Sequence, residues 1–258
     1  MRNYIICTTQ RSGKTWLCNT LQNLGGFGYP HEYVDVFHKG LTSSSILVNQ
    51  GVDGLQSYVE RQTILKTGSK SPTALALQWN QLIFLKNKIK KSNSEMLRYL
   101  VEKYDYHIFF LKRRDVLQQS ISQFIHQSSG YSHSYQDNNL RLQRFSVKFD
   151  PELIKRRYIS ISTCYESWQN LFYDTGVNFR IIYYEEMSRD ISHIVRLISS
   201  DIQKNSTDIS RSSIVSASSS LLKVSDEVDK DFRDKMDSLV REGRISLPGY
   251  SVTNKVDG

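Results

Sequence analysis

The hydrophobic positions of the chain fall into short unbroken runs separated by stretches of helical periodicity. Tyr4 to Thr8 is the first run, apolar on successive residues and bounded by polar ones, which predicts a strand buried on both faces. Leu17, Leu21 and Leu24 then recur at helical spacing until Gly25-Gly26 ends the pattern. A second run, Tyr106 to Leu111, predicts another strand, followed by an amphipathic helix marked by Leu117, Ile121, Phe124 and Ile125. Pro151 opens a long helix whose apolar stripe passes through Ile154, Tyr158, Ile161, Tyr165, Trp168 and Phe172 and stops at Gly176. Phe179 to Tyr183 is the third clear strand, and a last helix is expected near Ser225 to Arg241.

Between these elements the pattern is weaker. A short helix is expected near Asp53 to Arg61, one from Pro72 through Leu85, and one over Ser94 to Lys103. Strands separated by helical stretches of this length predict an α/β fold, a three-layer arrangement around a mostly parallel sheet. A single domain over residues 1–258 is expected, with an excursion at about 28–80 and a Ser-rich loop at about 203–220.

The formal net charge of +8, from 34 Lys and Arg against 26 Asp and Glu, favours an anionic partner without naming one. Zinc-finger spacing and an aromatic RNA-recognition motif are both missing, so nucleic acid is not the expected partner. Cys7, Cys18 and Cys164 form neither a metal-like cluster nor a disulfide framework. With no secretory leader and no long apolar span in the sequence, a cytoplasmic location, or one at the inner face of a membrane, is expected.

The chemistry concentrates at the first strand's exit. Gln10-Arg11-Ser12-Gly13-Lys14-Thr15 is a turn leading into a helix, and the amides from about Ser12 to Trp16 have no partner within the first helical turn. Those amides, the positive helix end, Arg11, Lys14 and the Ser12 and Thr15 hydroxyls make a cradle for tetrahedral oxygens. Gly13-Lys14-Thr15 also ends like an ATP- or GTP-binding loop, but Thr8 stands where that motif has its first glycine. A kinase or NTPase therefore stays as an alternative, beside a non-enzymatic nucleotide or nucleic-acid binding module. Arg113 and Arg114 leave the carboxyl end of the second strand, and Ser122 follows on the next helix. Ligands of open parallel sheets gather at that edge, which offers a place for a second phosphate.

Four blocks in order resemble the sulfotransferases that use 3'-phosphoadenosine 5'-phosphosulfate, particularly the bacterial trehalose 2-sulfotransferase family. They are Ile5 through Thr15, Gly28-Tyr29-Pro30-His31-Glu32-Tyr33, Trp79-Asn80-Gln81, and Arg113-Arg114-Asp115 through Gln119-Ser120-Ile121-Ser122. The resemblance implies a nucleotide-binding fold like that of P-loop hydrolases and transfer of a sulfuryl group to a hydroxyl of a carbohydrate or glycolipid. It implies that Gln10 to Trp16 hold the 5'-phosphosulfate and that Arg113 or Arg114 with Ser122 holds the 3'-phosphate. Glu32 aligns with the family's general base, with Arg11 and Lys14 stabilising developing charge, and His31, Tyr33, Trp79, Asn80 and Gln81 would face the acceptor. No metal is implied, adenosine 3',5'-bisphosphate is the expected product, and relatives can form homodimers. Two departures stand out: Ala76 where the family carries lysine, and Arg113-Arg114-Asp115 in place of Arg-Pro-Asp.

Overall fold

The computed structural model describes residues 1–34, 44–68, 71–130, 143–202, 210–218 and 227–252. Four parallel strands, β1 (Asn3–Thr8), β2 (Ala74–Gln78), β3 (Tyr106–Lys112) and β4 (Phe179–Tyr183), lie in the order β2-β1-β3-β4. Register aligns their carboxyl ends: Thr8 pairs with Gln78, Cys7 with Phe110, and Lys112 with Tyr183. The segments that leave those ends therefore converge on one edge of the sheet.

The described chain forms two compact units, Met1–Arg114 with Cys164–Ser220, and Asp115–Thr163 with Leu221–Gly258. The first is the α/β unit. Tyr4, Ile6, Phe109, Leu111 and Ile182 project from one sheet face onto Leu17 and Leu21 of α1 (Lys14–Leu24) and onto α8 (Ile191–Ile202). Helix α8 meets them with Ile191, Ile194, Val195, Ile198 and Ile202, a helical spacing on one face. On the opposite face Phe110 packs edge-on against Tyr165 at 5.8 Å and Phe172 at 5.4 Å, both from the long helix α6 (Pro151–Thr175). Helices on both faces of a parallel sheet give the expected three layers.

Helix α6 starts in the second unit and ends in the first. Within the second unit, Leu117, Ile121, Phe124 and Ile125 of α5 (Val116–Ser129) form a core with Ile154, Tyr158, Phe232, Met236, Ile245 and Leu247. Phe232 lies on α10 (Glu227–Arg241), as does Asp229, whose carboxylate is paired with the fully buried Arg144. Asp115 caps α5, its Oδ1 accepting the Gln118 amide at 2.9 Å, and is also gripped by Arg233 at 2.7 and 2.9 Å.

Several expected elements change. Residues expected to open a helix at Pro72 instead form β2, and α3 (Trp79–Ile89) begins only after it. Ala74 to Gln78 are buried throughout, paired to the free side of β1, so pairing and burial override the helix preference of Ala and Leu. The short helix expected near Asp53 is the longer α2 (Ser44–Thr67), bent at Gly51, where φ is 59°. The helix expected at Ser94 is α4 (Asn93–Tyr104), with Ser92 and Glu95 exchanging capping bonds at 3.1 and 2.7 Å. Past β4 two helices were not foreseen, α7 (Tyr184–Arg189) and α8. In the Ser-rich tract, Arg211–Ser218 forms α9, which docks on α1 through Trp16 Nε1 donating to Ser218 O at 3.1 Å. Residues 203–209 and 219–220 of that tract lie outside the described residues.

Candidate active site at the carboxyl edge of the sheet

The turn between β1 and α1 is set from below. Ser12 is fully buried, its hydroxyl 2.6 Å from that of Thr8, which in turn donates to Leu111 O at 3.0 Å. Trp168 Nε1 donates to Thr8 O at 3.0 Å from the helical layer. Arg11 and Gly13 both take left-handed backbone angles, φ 60° and 93°. At Gly13 a side chain is also excluded by space, since a Cβ there would stand 2.4 Å from Cδ2 of Tyr184. Helix α1 begins with no side-chain cap and no acidic residue in its first turn. Its leading amides keep their full positive character, the property an anion site needs.

Tyr184, the first residue of α7, is a neighbour of the turn that the sequence does not single out. Its ring abuts Gly13, lies edge-on to Trp16 at 6.5 Å, and carries the Arg113 guanidinium 3.8 Å from its centre. Arg113 thereby joins the turn, with its amide bonded to Tyr165 Oη at 2.9 Å and its buried Nε lacking a hydrogen-bond partner. Arg114 behaves differently. It is exposed, stacks on Tyr183 at 3.8 Å, and pairs with Glu186. Ser122 belongs to α5 of the second unit and is 8% exposed there.

Lys14, at the start of α1, pairs with Oε2 of Glu32. Oε1 of the same carboxylate accepts from Nε2 of Gln78 and, at 3.0 Å, from Nε2 of Gln81. Gln81 is fixed in turn, its Oε1 accepting the Gln78 amide at 2.8 Å. The structure thus brings Gln81 to Glu32, together with Gln78, which the sequence reading did not single out. Its neighbours divide: Asn80 is exposed, and Trp79 packs edge-on against Trp168 at 5.1 Å.

His31 is exposed on a short bridge to Leu75, and its carbonyl accepts the Ala76 amide at 3.0 Å. Tyr33, expected to face the acceptor, is instead 3% exposed, its hydroxyl donating to Tyr29 O at 2.7 Å and its ring edge-on to Tyr58. Those contacts make it part of the packing. Beside Glu32, about 280 Å³ of space open to solvent lies between Thr15, Asn19 and Gln22 of α1 and the segment Pro30–Glu32, with Ala76 on its border. Cys18 also borders this space, but burial pushes its thiol up to about 12, so it is not a nucleophile at neutral pH. Among the described residues, no group of three or more His, Cys, Asp or Glu is placed to hold a metal ion, and no helix is long and apolar enough to cross a membrane.

Comparison with curated proteins gives no match. Among solved structures, the chain is similar to a sulfotransferase from Alicyclobacillus acidocaldarius, with 13% identity, a TM-score of 0.45, and 94% of this chain and 92% of that one covered. It is also similar to the sulfotransferase domain from the Synechococcus PCC 7002 olefin synthase, with 16% identity, a TM-score of 0.37, and coverage of 97% and 91%. The profile of the Stf0 sulphotransferase family matches residues 3–237. That match runs from β1 into α10 and leaves only the chain ends outside it, and the protein belongs to the Stf0 sulphotransferase family.

Proposed function

We propose that the protein transfers a sulfuryl group from 3'-phosphoadenosine 5'-phosphosulfate to a hydroxyl of a carbohydrate or glycolipid, in the manner of the trehalose 2-sulfotransferases it resembles. The observation that carries this reading is the meeting of Lys14, from the anion turn, with Glu32, from a segment 18 residues on, at the sheet edge where Arg113 also arrives. The residues suit an anionic nucleotide donor. The amides of α1 are uncapped, and the buried Arg113 Nε is left with bonding capacity that a phosphate oxygen satisfies. Arg113, and not the Glu186-paired Arg114, is therefore the arginine we assign to the 3'-phosphate, with Ser122 as its partner by resemblance.

When bound, the donor supplies an activated sulfuryl group whose bond to the 5'-phosphate breaks as the acceptor oxygen bonds to sulfur, leaving adenosine 3',5'-bisphosphate. The protein contributes position and charge. The turn amides with Arg11 and Lys14 hold the anionic end in place and offset charge on the equatorial oxygens. Glu32 takes the acceptor's proton, a contribution of roughly 10²- to 10⁴-fold for a positioned base. The acceptor hydroxyl enters from the space bordered by Asn19, Gln22 and His31, whose amide and imidazole groups suit a polyhydroxylated ligand. Ala76 leaves that border uncharged where the family pattern has lysine.

Thermal shift with two ligands tests the donor assignment. Adenosine 3',5'-bisphosphate is expected to raise the melting temperature at concentrations where ATP does not. Stabilisation by ATP alone would move the protein to the kinase or NTPase class. Transfer of labelled sulfate into a panel of carbohydrates and glycolipids, trehalose included, then tests the acceptor class.

A further inference from the structure

The carboxylate of Glu32 is held asymmetrically. Two neutral amides, from Gln78 and Gln81, converge on Oε1, while the ammonium of Lys14 sits on Oε2. Oε1 is thereby committed to orienting the side chain, so Oε2 is the oxygen left to receive a proton. That oxygen is the one Lys14 covers. The Lys14 and Glu32 side chains are only 13% and 19% exposed, so water screens their contact little. A carboxylate oxygen in contact with an ammonium is covered, and an approaching hydroxyl cannot reach it to hydrogen-bond.

We infer that Lys14 is exchanged between Glu32 and the donor. Without donor it covers Oε2; the donor's anionic group draws it away, and Oε2 is bared while Gln78 and Gln81 keep the carboxylate aimed. The inference rests on the donor site and base proposed above. It makes Glu32 a competitor of the donor for one cation, so the base becomes available only when the donor is in place. An acceptor that arrives first meets a covered carboxylate, and its hydroxyl is not activated.

Linkage gives this exchange a sign opposite to that of an ordinary binding-site mutation. If donor binding has to break the Lys14–Glu32 contact, then removing the carboxylate strengthens donor binding by the same factor. In Glu32→Gln the amide oxygen can still accept from Gln78 and Gln81, which turns its NH₂ toward Lys14, where it cannot accept, and the ammonium is released. Calorimetric titration of the full chain with adenosine 3',5'-bisphosphate is expected to show Glu32→Gln binding about fivefold or more tighter than wild type. Glu32→Ala, which lacks any polar group there, is expected to do the same. Lys14→Gln is expected to bind more weakly, and adding Glu32→Gln to it should change nothing further. Equal or weaker binding by both Glu32 variants, with melting curves showing them folded, would overturn the exchange. Failure of the wild-type protein itself to bind the bisphosphate would instead remove the donor reading, and the exchange with it.

Discussion

Replacing Gly13 with alanine puts the anion turn to a quantitative test, because two independent penalties meet at that residue. The backbone there is left-handed, with φ 93° and ψ 7°, and a side chain in that region costs about 1–2 kcal/mol. The added methyl would also stand 2.4 Å from Cδ2 and 2.9 Å from Cε2 of Tyr184, and 2.9 Å from Cε of Met187. Met187 has a flexible end that can turn aside. Tyr184 is held by Trp16 on one side and Arg113 on another, so its ring must shift as a unit, an overpacking cost of about 1–3 kcal/mol. Together the two penalties predict a loss of about 2–5 kcal/mol. Urea unfolding of a double-mutant cycle separates them. In a Tyr184→Ala background the methyl has room, and only the backbone cost of about 1–2 kcal/mol should remain. The same shift of Tyr184 displaces Arg113, so Gly13→Ala should also weaken binding of adenosine 3',5'-bisphosphate. If Gly13→Ala costs as much without the Tyr184 ring as with it, the steric argument is wrong.

The two arginines after β3 should separate cleanly in the same binding assay. Arg113→Ala is expected to lower bisphosphate affinity about tenfold or more, as for loss of a charged hydrogen bond, while Arg114→Ala, which breaks an exposed pair with Glu186, should stay within about twofold. In the second unit, Asp229→Asn removes the carboxylate paired with the fully buried Arg144 and should cost about 3–5 kcal/mol in urea unfolding. The double variant Arg144→Met with Asp229→Leu should recover most of that loss. His107 sets a pH dependence: burial holds its imidazole below the usual 6.5, against the opposing pull of Asp201. The unfolded chain then binds the proton more readily, so stability is full above pH 6.5 and declines as pH falls below it. Unfolding midpoints at pH 7.5 and 5.5 should differ more for wild type than for His107→Gln.

How much of this was legible in the sequence depended on whether local pattern and tertiary placement agreed. Strands β1, β3 and β4 are rich in Ile, Phe and Tyr, and their expected spans fall within a residue of the observed ones. Strand β2, Ala-Leu-Ala-Leu-Gln, has no β-branched residue and follows a proline that reads as a helix start. Only its pairing with β1 makes it a strand, and pairing is not written locally. That one misreading also hid Gln78, the strand's last residue, and with it half of the grip on Glu32 Oε1. Tyr184 was hidden for a related reason: it looks like the end of an aromatic strand, and its importance comes from a turn 171 positions away. By contrast, the strand-turn-helix at residues 3–24 was visible because all its parts are consecutive.

The distance in sequence between Gly13 and Tyr184 has a consequence for how the protein is made. The anion turn is synthesised long before the ring that walls it, which arrives only after β4. Strand β4 pairs with β3, which pairs with β1, so the wall is set only when these three strands have come together. Such long-range pairings are slow to form, because chain entropy is lost before the contacts are gained. A nascent chain stalled before residue 184 would display the turn with Arg113 unsupported. The walled form of the anion turn is thus a late folding event, and its appearance during synthesis would report that β4 has joined the sheet.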